Sequence, residues 1–460
     1  MKGAPIVVVV GAGPAGVAAA RRLAEAGLRP IVLDSGPEPG GRIWRNTGSG
    51  AQGLPRLPGH DPERGRHERA RFVEWRERIA FYPETTVIDV TRGRLWALAS
   101  SGEVDSTPWD RLIVATGALD RVVPVPGWTL PGVVTLGGAQ TALKTRGCAV
   151  GRRIAFFGTG PLLYLAAAQH LAAGVEVAVV GDTSRLRDAV AAAPDLLADP
   201  ARLRLGLRCL RMLRRAGVPV LRGVRGARIE GRKTVEAIVL ERRRAFWRFS
   251  CDAVATGFGL VPQTQILDLL DVPFTLEETS GLWLPLLDRA GRTSIPGVYA
   301  AGDGARPLGA EAAAMAGERA ALALLEDEGS RIDAGRVAQL ETTLARHERF
   351  ARALARAFPH PRVLEAEIAD ETVVCRCENV TAGDLRRAVR ELDARDVSEA
   401  KAFTRCGMGR CQGRLCGLSA ARILAAIRNV RLAEAGRLRS QAPVLPMPVA
   451  ARRVPAEDAA

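Results

Sequence analysis

Five cysteines crowd one stretch of the chain: Cys375 and Cys377, one residue apart, then Cys406, Cys411 and Cys416. Thiolates gathered in this way bind metal, and four of them on a compact loop frame suit an iron–sulfur cluster or a structural zinc ion. Gly407, Gly409, Gly413 and Gly417 interleave with the last three cysteines. They let the backbone wrap closely and turn amide N–H groups toward the sulfurs. A disulfide framework would suit an exported chain, and nothing here suggests export. The apolar start Ile6–Val10 runs straight into a glycine motif, without a basic region followed by a cleavage site. The other three thiols, Cys148, Cys209 and Cys251, stand alone in mostly apolar company and read as core residues.

The second kind of chemistry is phosphate binding at glycine turns. The first turn is Gly11-Ala12-Gly13-Pro14-Ala15-Gly16, placed between the β-branched run Ile6–Val10 and an Ala-rich helix ending near Gly27. A second strand, Pro30–Leu33, follows and ends in Asp34. Gly11 permits the tight turn, Gly13 lets a pyrophosphate approach the backbone, and Gly16 lets helix and strand pack closely. The helix N-terminus favours the phosphate charge, and Asp34 can bond ribose hydroxyls. Gly40-Gly41-Arg42 then offers a further contact near the phosphates. His60 and His67, in the Pro-, Gly- and Arg-rich segment beyond, read as exposed loop residues.

The pattern restarts at the strand Ile154–Phe157, the turn Gly158-Thr159-Gly160-Pro161, the helix Tyr164–Ala173 and the strand Val175–Val180, with Asp182 just past its end. Leu163 stands at the third glycine position. It should push the helix away from the strand, so the turn predicts a nucleotide fold that binds NAD(P), ADP or ATP, or nothing. Apolar strands also end in small-residue turns at Ala115-Thr116-Gly117 and Ala255-Thr256-Gly257. Val298–Ala301 ends in Gly302-Asp303, an acid placed to accept a hydrogen bond from a ribityl chain. The helix around Ala310–Leu325 can aim its N-terminus at a flavin ring.

The order GAGPAG, ATG, GTGP, ATG, YAAGDG resembles the pyridine nucleotide–disulfide reductase-like flavoproteins, over about residues 3–330. The fold class expected is α/β, with two Rossmann-like dinucleotide-binding domains and a small α-helical 2Fe–2S-binding domain at the C-terminal end. The resemblance implies an FAD domain in two parts, 1–120 and 256–328, around an inserted NAD(P)-like domain, 121–255. It implies FAD contacts from Gly11, Gly13, Pro14, Ala15, Gly16, Asp34, Gly41, Arg42, Ala115, Thr116, Gly117, Gly302 and Asp303. Gly158, Gly160 and Pro161 would line the second site. No CxxC or CxxxxC pair occurs in the first 330 residues, so disulfide reduction is not expected.

The cysteine segment, expected to fold over 371–430, resembles bacterioferritin-associated ferredoxin-like domains, which hold a 2Fe–2S cluster. Taken alone, its spacing reads as C-x-C-x33-C-x4-C or C-x-C-x28-C-x4-C. The resemblance favours Cys375, Cys377, Cys411 and Cys416 as ligands, although the second pair in that family is usually spaced by two. Cys406 is then spare or a weakly competing ligand. With the motif GMGRCQGRLC at 407–416, the whole resembles the large flavoprotein subunit of heteromeric amine dehydrogenases: opine oxidases, D-hydroxyproline and L-proline dehydrogenases, and one chain of hydrogen cyanide synthase. This implies a partner FAD-dependent amine oxidase-like subunit and an electron acceptor, joined in some complexes by a small ferredoxin-like subunit. FMN shared at a subunit interface is compatible with the resemblance, and no residue here identifies it.

The bulk properties agree. The 460 residues suffice for two or three domains. The net charge of +15 is scattered in short runs such as Arg242–Arg244, without a nucleic-acid module. No apolar run reaches the roughly 18 residues of a transmembrane segment. The expected location is cytoplasmic, with a peripheral membrane contact through the acceptor left open. Residues 329–370 read as a helical linker. Residues 431–460, with four prolines and five arginines, read as an extended tail suited to lying on a partner. Thr381 is placed to cap the helix that follows the first cysteine pair, with Asp384 in its first turn.

Overall fold

In the computed structural model, which describes residues 4–45, 48, 51 and 53–453, Val7–Val10 is the central strand of a five-stranded parallel sheet. All four valines are buried, as a strand covered on both faces requires. Across the sheet the order is Val298–Ala300, Arg111–Val114, Val7–Val10, Ile31–Leu33, Ala80–Tyr82. The chain therefore leaves this sheet after Val114 and returns to its edge at Val298. Helix Pro14–Glu25 packs against helix Ala310–Asp327. A Cβ on Gly317 would fall 2.0 Å from the Ala15 carbonyl oxygen, so glycine is what lets these two helices meet backbone to backbone.

A second parallel sheet has the order Val220–Arg222, Glu176–Asp182, Arg153–Gly158, Ala253–Gly257, Val133–Thr135. The two segments joining the units run antiparallel to one another, Ala118–Asp120 against Leu260–Pro262. Helix Ala334–Ala357, in the expected linker, is capped by Asp333, whose side chain accepts from the Gly335 and Arg336 amides. Its Phe350, Ala353 and Ala357 pack on Ala192 and Leu196, so this helix lies along the second unit.

The cysteine segment folds around Leu385, Val397, Ile423 and Leu424, on helices Ala382–Arg390, Val397–Thr404 and Gly417–Arg428. Thr381 and Asp384 form the expected reciprocal cap. The unit docks on the rest of the chain through specific bonds. Trp128 Nε1 donates to the Val373 carbonyl at 2.6 Å, and Ser419 Oγ donates to the Val122 carbonyl at 2.9 Å.

Three expectations are corrected. The segment after Gly53 is not all loop: Asp61 caps helix Pro62–Glu74, with proline at its first position. His67 is exposed on that helix and His60 is half-buried before it. Cys148 is exposed, whereas Cys209 and Cys251 are buried. The tail runs across this chain itself. Arg437 pairs with buried Asp268 at 2.7 Å, the Val444 amide donates to the Ile88 carbonyl at 2.8 Å, and Arg452–Arg453 joins the sheet edge at Glu103–Val104. Among the described residues no helix is long and apolar enough to cross a membrane.

Candidate functional site

The glycines of the first turn divide into closed and open positions. A Cβ on Gly11 would fall 2.4 Å from the Ala115 carbonyl oxygen, and one on Gly16 would fall 1.7 Å from the Gly11 oxygen. A Cβ on Gly13 would meet nothing nearer than 4.0 Å. Gly11 and Gly16 therefore build the turn, and Gly13 presents the open backbone that a pyrophosphate approaches. Gly41, at positive φ, sits directly over Gly13 and beside Pro14, which brings the Gly40–Arg42 turn to the same place. Asp34 accepts from the Ala12 amide at 2.5 Å and from the Gly36 amide at 2.6 Å. Each carboxylate oxygen retains a lone pair for a ribose hydroxyl.

Asp303 lies beyond the Val298–Ala300 strand. Its Oδ1 accepts from the Leu308 and Gly309 amides at 2.8 and 3.0 Å, just before helix Ala310–Asp327. Burial pushes its carboxyl upward. The adjacent Gly304 touches Thr116 and Gly117. Thr116 Oγ1 donates to the Gln263 carbonyl at 2.5 Å, and Gln263 Nε2 returns a bond to the Thr116 carbonyl at 3.0 Å. Arg42 is exposed and lies close enough to influence both Asp120 and Arg414.

The five clustered thiols converge. The sulfurs of Cys375, Cys406 and Cys416 lie within 4.8 Å of one another, all buried. Cys411 lies beside Cys416 and Cys377, which extends the group to all five. The Gly407 and Glu378 amides lie close enough to Cys375, and the Gly413 and Leu415 amides close enough to Cys411, to favour the thiolate form of each. The neighbouring Cys406 and Cys416 thiols, and after them these amides, hold Cys375 down to about 2; Cys416 first, then its own amides, holds Cys411 down to about 5; Cys377, Cys406 and Cys416 are pushed up, Cys377 by burial and the other two by the thiols beside them. Gly409 allows the close approach to Cys377: a Cβ there would fall 2.3 Å from the Cys377 Cβ. Amide donors turned on paired thiolates are the surroundings that an anionic iron–sulfur cluster needs, so these residues fit the group.

The two sites are joined. Arg414, between Cys411 and Cys416, donates from Nε to the Cys411 carbonyl at 2.9 Å. Its Nη1 reaches Gln263 Oε1 at 3.4 Å, and Gln263 holds the Thr116 turn.

Residues 5–320 match the family model of pyridine nucleotide-disulphide oxidoreductases, and residues 373–426 match the BFD-like 2Fe-2S binding domain. The chain belongs to the pyridine nucleotide-disulphide oxidoreductase family. It is 36% identical over 451 residues to an opine oxidase subunit of Rhizobium meliloti, covering 96% of each chain. It is 31% identical over 464 residues to the hydrogen cyanide synthase subunit HcnB of Pseudomonas aeruginosa, covering 96% of this chain and 97% of the other. L-proline dehydrogenase from P. horikoshii has a similar fold, with a TM-score of 0.69 at 19% identity, over 96% of this chain and 78% of that one. The fold is thus the expected α/β one with a C-terminal BFD-like domain. The chain is a flavin-dependent oxidoreductase: its family domain implies FAD and its BFD-like domain implies a 2Fe–2S cluster.

The second glycine turn of this oxidoreductase differs from the first. A Cβ on Gly158 would fall 1.8 Å from the Gly257 carbonyl oxygen, so the turn is tight. Leu163 is fully buried in a cluster with Leu136, Ile154, Phe156, Ala253 and Ala255. Asp182 is the last residue of its strand and faces inward, fully buried. It accepts from Tyr164 Oη at 2.5 Å and from the Ser184 amide and hydroxyl at 2.8 and 2.6 Å. Burial pushes the carboxyl up. An acid so enclosed has no oxygen turned to a ribose. Burial also raises Cys209 and lifts Cys251 to about 11, so neither is an activated thiol.

Sequence reasoning missed Gln263, Arg414 and Leu438. Leu438 reaches from the tail into the cysteine loop, where a Cβ on Gly407 or Gly413 would fall 2.6 or 2.8 Å from its Cδ1. The glycines spaced through this loop were a signal that a neighbouring side chain fills the space; the neighbour itself carried none.

Proposed function

We propose that this chain is the electron-transferring subunit of a heteromeric amine or imino-acid dehydrogenase. It passes electrons from a partner FAD-dependent amine oxidase-like subunit to an acceptor, through its own FAD and a 2Fe–2S cluster. The observation that carries the reading is the Arg414–Gln263 link, which fixes the cysteine loop against the first nucleotide site. A flavin beside a one-electron cluster converts two-electron input into single steps, and the protein contributes orientation and electrostatics. The names of the relatives, opine oxidase and hydrogen cyanide synthase subunits, support a substrate with an oxidisable C–N bond and a complex of several chains.

In this reading FAD lies on Gly11, Gly13, Pro14, Ala15 and Gly16, with Asp34 at the ribose and Gly41, Arg42, Ala115–Gly117, Gly302 and Asp303 around the rest. Cys375, Cys377, Cys411 and Cys416 hold the cluster, with Cys406 spare beside them. FMN at the partner interface and a small ferredoxin-like third subunit remain part of the proposal. So does a cytoplasmic location. A self-sufficient NAD(P)H-dependent reductase has less support, because Asp182 is turned inward. A zinc-stabilised docking subunit is separated from the main reading by metal analysis.

The test is to assay amine oxidation with an artificial acceptor, using this chain alone and together with the flavoprotein encoded beside it. Activity is expected only for the pair. Oxidation of an amino acid by the isolated chain would contradict the proposal.

A further inference from the structure

We infer that two consecutive helices, Leu186–Leu196 and Pro200–Arg215, form a docking face for an anionic lipid surface. The strands they connect, Glu176–Asp182 and Val220–Arg222, are parallel neighbours, and one helix is enough to cross between such strands. This connection holds two. Helix Pro200–Arg215 does the packing, placing Cys209 and Leu213 in the core of the second unit. Helix Leu186–Leu196 does not join that core; its Ala192 and Leu196 pack on Phe350 and Ala353 of the linker helix. A different face of it is apolar and open. Leu186 and Leu197 are 63% exposed and Val190 is 65% exposed, and Ala193 and Pro194 between them are exposed as well. These positions follow the i, i+4, i+7, i+8, i+11 spacing of one helix face. Single exposed apolar side chains are ordinary, whereas a row of them marks a contact surface.

The second helix supplies the charge. Arg204, Arg208, Arg211, Arg214 and Arg215 are exposed, and their spacing gathers them on one face around Leu207, itself 43% exposed. The helix contains no acid. Among the described residues Arg208, Arg211, Arg214 and Arg215 have no ion-pair partner. The acids of residues 183–219 are engaged locally. Asp188 accepts from the Arg185 amide at 3.1 Å, Asp199 from the Arg202 amide at 3.0 Å, and Asp195 holds Arg349 at 2.8 Å together with Arg356. Leucines set among arginines without counter-charges are the composition of helices that lie in a membrane interface. There the arginine stems lie along apolar surface and the guanidinium groups meet lipid phosphates. A second copy of this chain would set the same unpaired arginines against themselves. An acidic protein surface matches the arginines but not the leucines; anionic headgroups over an acyl layer match both. Among the described residues no helix can cross a membrane, so the contact is peripheral.

The inference concerns attachment and not electron transfer, and its test needs neither amine nor acceptor. The isolated holoprotein is sedimented with vesicles of phosphatidylcholine alone, or of phosphatidylcholine and phosphatidylglycerol in equal parts. The parent should sediment with the mixed vesicles and not with the neutral ones, and added salt should release it. One arginine near an anionic surface contributes roughly fivefold to binding. Arg208→Glu combined with Arg211→Glu should therefore weaken binding by about tenfold or more. Leu186→Ser combined with Val190→Ser removes the apolar row and should weaken it by about tenfold or more as well. Arg387→Glu combined with Arg390→Glu, at exposed arginines of the cysteine unit, is the control and should bind as the parent does. Flavin absorbance and thermal unfolding check that each variant is folded; should the serine pair not fold, the arginine pair and its control decide. The inference is overturned if the parent does not bind the mixed vesicles, or if a folded variant of either helix binds them as the parent does. It is equally overturned if the control loses as much binding as the Arg208 and Arg211 pair. Loss of a dimer of this chain, or of the partner subunit, in the serine pair with vesicle binding intact would assign the apolar row to that protein contact instead.

Discussion

Arg414 and Gln263 meet across the seam between the cysteine loop and the flavin fold, with Nη1 3.4 Å from Oε1. Each is anchored on its own side, Arg414 to the Cys411 carbonyl and Gln263 to Thr116. Arg414 is half-buried, and both burial and the charge of Arg42 lower its pKa. A guanidinium kept in such company is there for position as well as for charge. Replacing Arg414 by Met keeps the length of the stem and removes the fork. Outer residues that orient metal ligands typically contribute 10–100-fold in affinity or activity, so flavin-to-cluster electron transfer should slow by about tenfold or more. Stopped-flow reduction with the partner subunit, followed at flavin and cluster wavelengths, measures it. An unchanged rate with full cofactor content would remove the role assigned to Arg414.

The five thiols compete for four ligand positions. Substituting Cys375, Cys377, Cys411 or Cys416 by Ser should each abolish stable iron binding, and Cys406→Ala should retain it. Iron and acid-labile sulfide assays after anaerobic preparation read the difference. Iron retained in Cys377→Ser and lost in Cys406→Ala would exchange those two residues in the ligand set.

Leu438 fills the hollow left by Gly407, Gly413 and Gly417. Truncation to Ala leaves a cavity beside the cysteine loop and admits water. A half-buried leucine places the cost at roughly 1–3 kcal/mol, toward the low end of measured Leu→Ala values. Thermal unfolding and the rate of iron loss to a chelator should both show it. Faster iron loss with no change in unfolding would locate the effect in the loop alone.

His360 is buried and bonded to Glu365 at 2.6 Å. Burial lowers its pKa from 6.5 to about 4. The unfolded chain therefore takes up this proton first as the pH falls. The stability linked to His360 is fully present above pH 6.5 and is lost as the pH drops toward 4. At 1.36 kcal/mol per unit, the whole effect is at most about 3 kcal/mol. Denaturant titrations between pH 7.5 and 4 check it: His360→Gln should flatten this part of the profile, and an unchanged slope would contradict the assignment.

Much of this architecture was legible because local chemistry dictates it. A β-branched run followed by GAGPAG admits few structures besides a buried strand and a phosphate turn, and Thr381 with Asp384 specifies a helix start. Cys148 looked like its two fellow lone thiols, yet it follows the left-handed Gly147 cap that turns the chain outward. Helix Pro62–Glu74 was hidden by its arginines, which read as loop although Asp61-Pro62 signalled a start. Asp182 could not be placed from sequence, because only tertiary packing brings Tyr164 and Ser184 onto its carboxylate. The Arg414–Gln263 contact joins residues 151 positions apart, and no periodicity or motif encodes such a pair.

The most direct measurement is spectroscopic. The protein is prepared without oxygen, its flavin absorbance recorded, and its electron paramagnetic resonance spectrum taken after reduction. A bound flavin is expected, together with the rhombic signal of a reduced 2Fe–2S cluster and matching iron and labile sulfide. A colourless protein, or one holding zinc without iron or sulfide, would contradict the account.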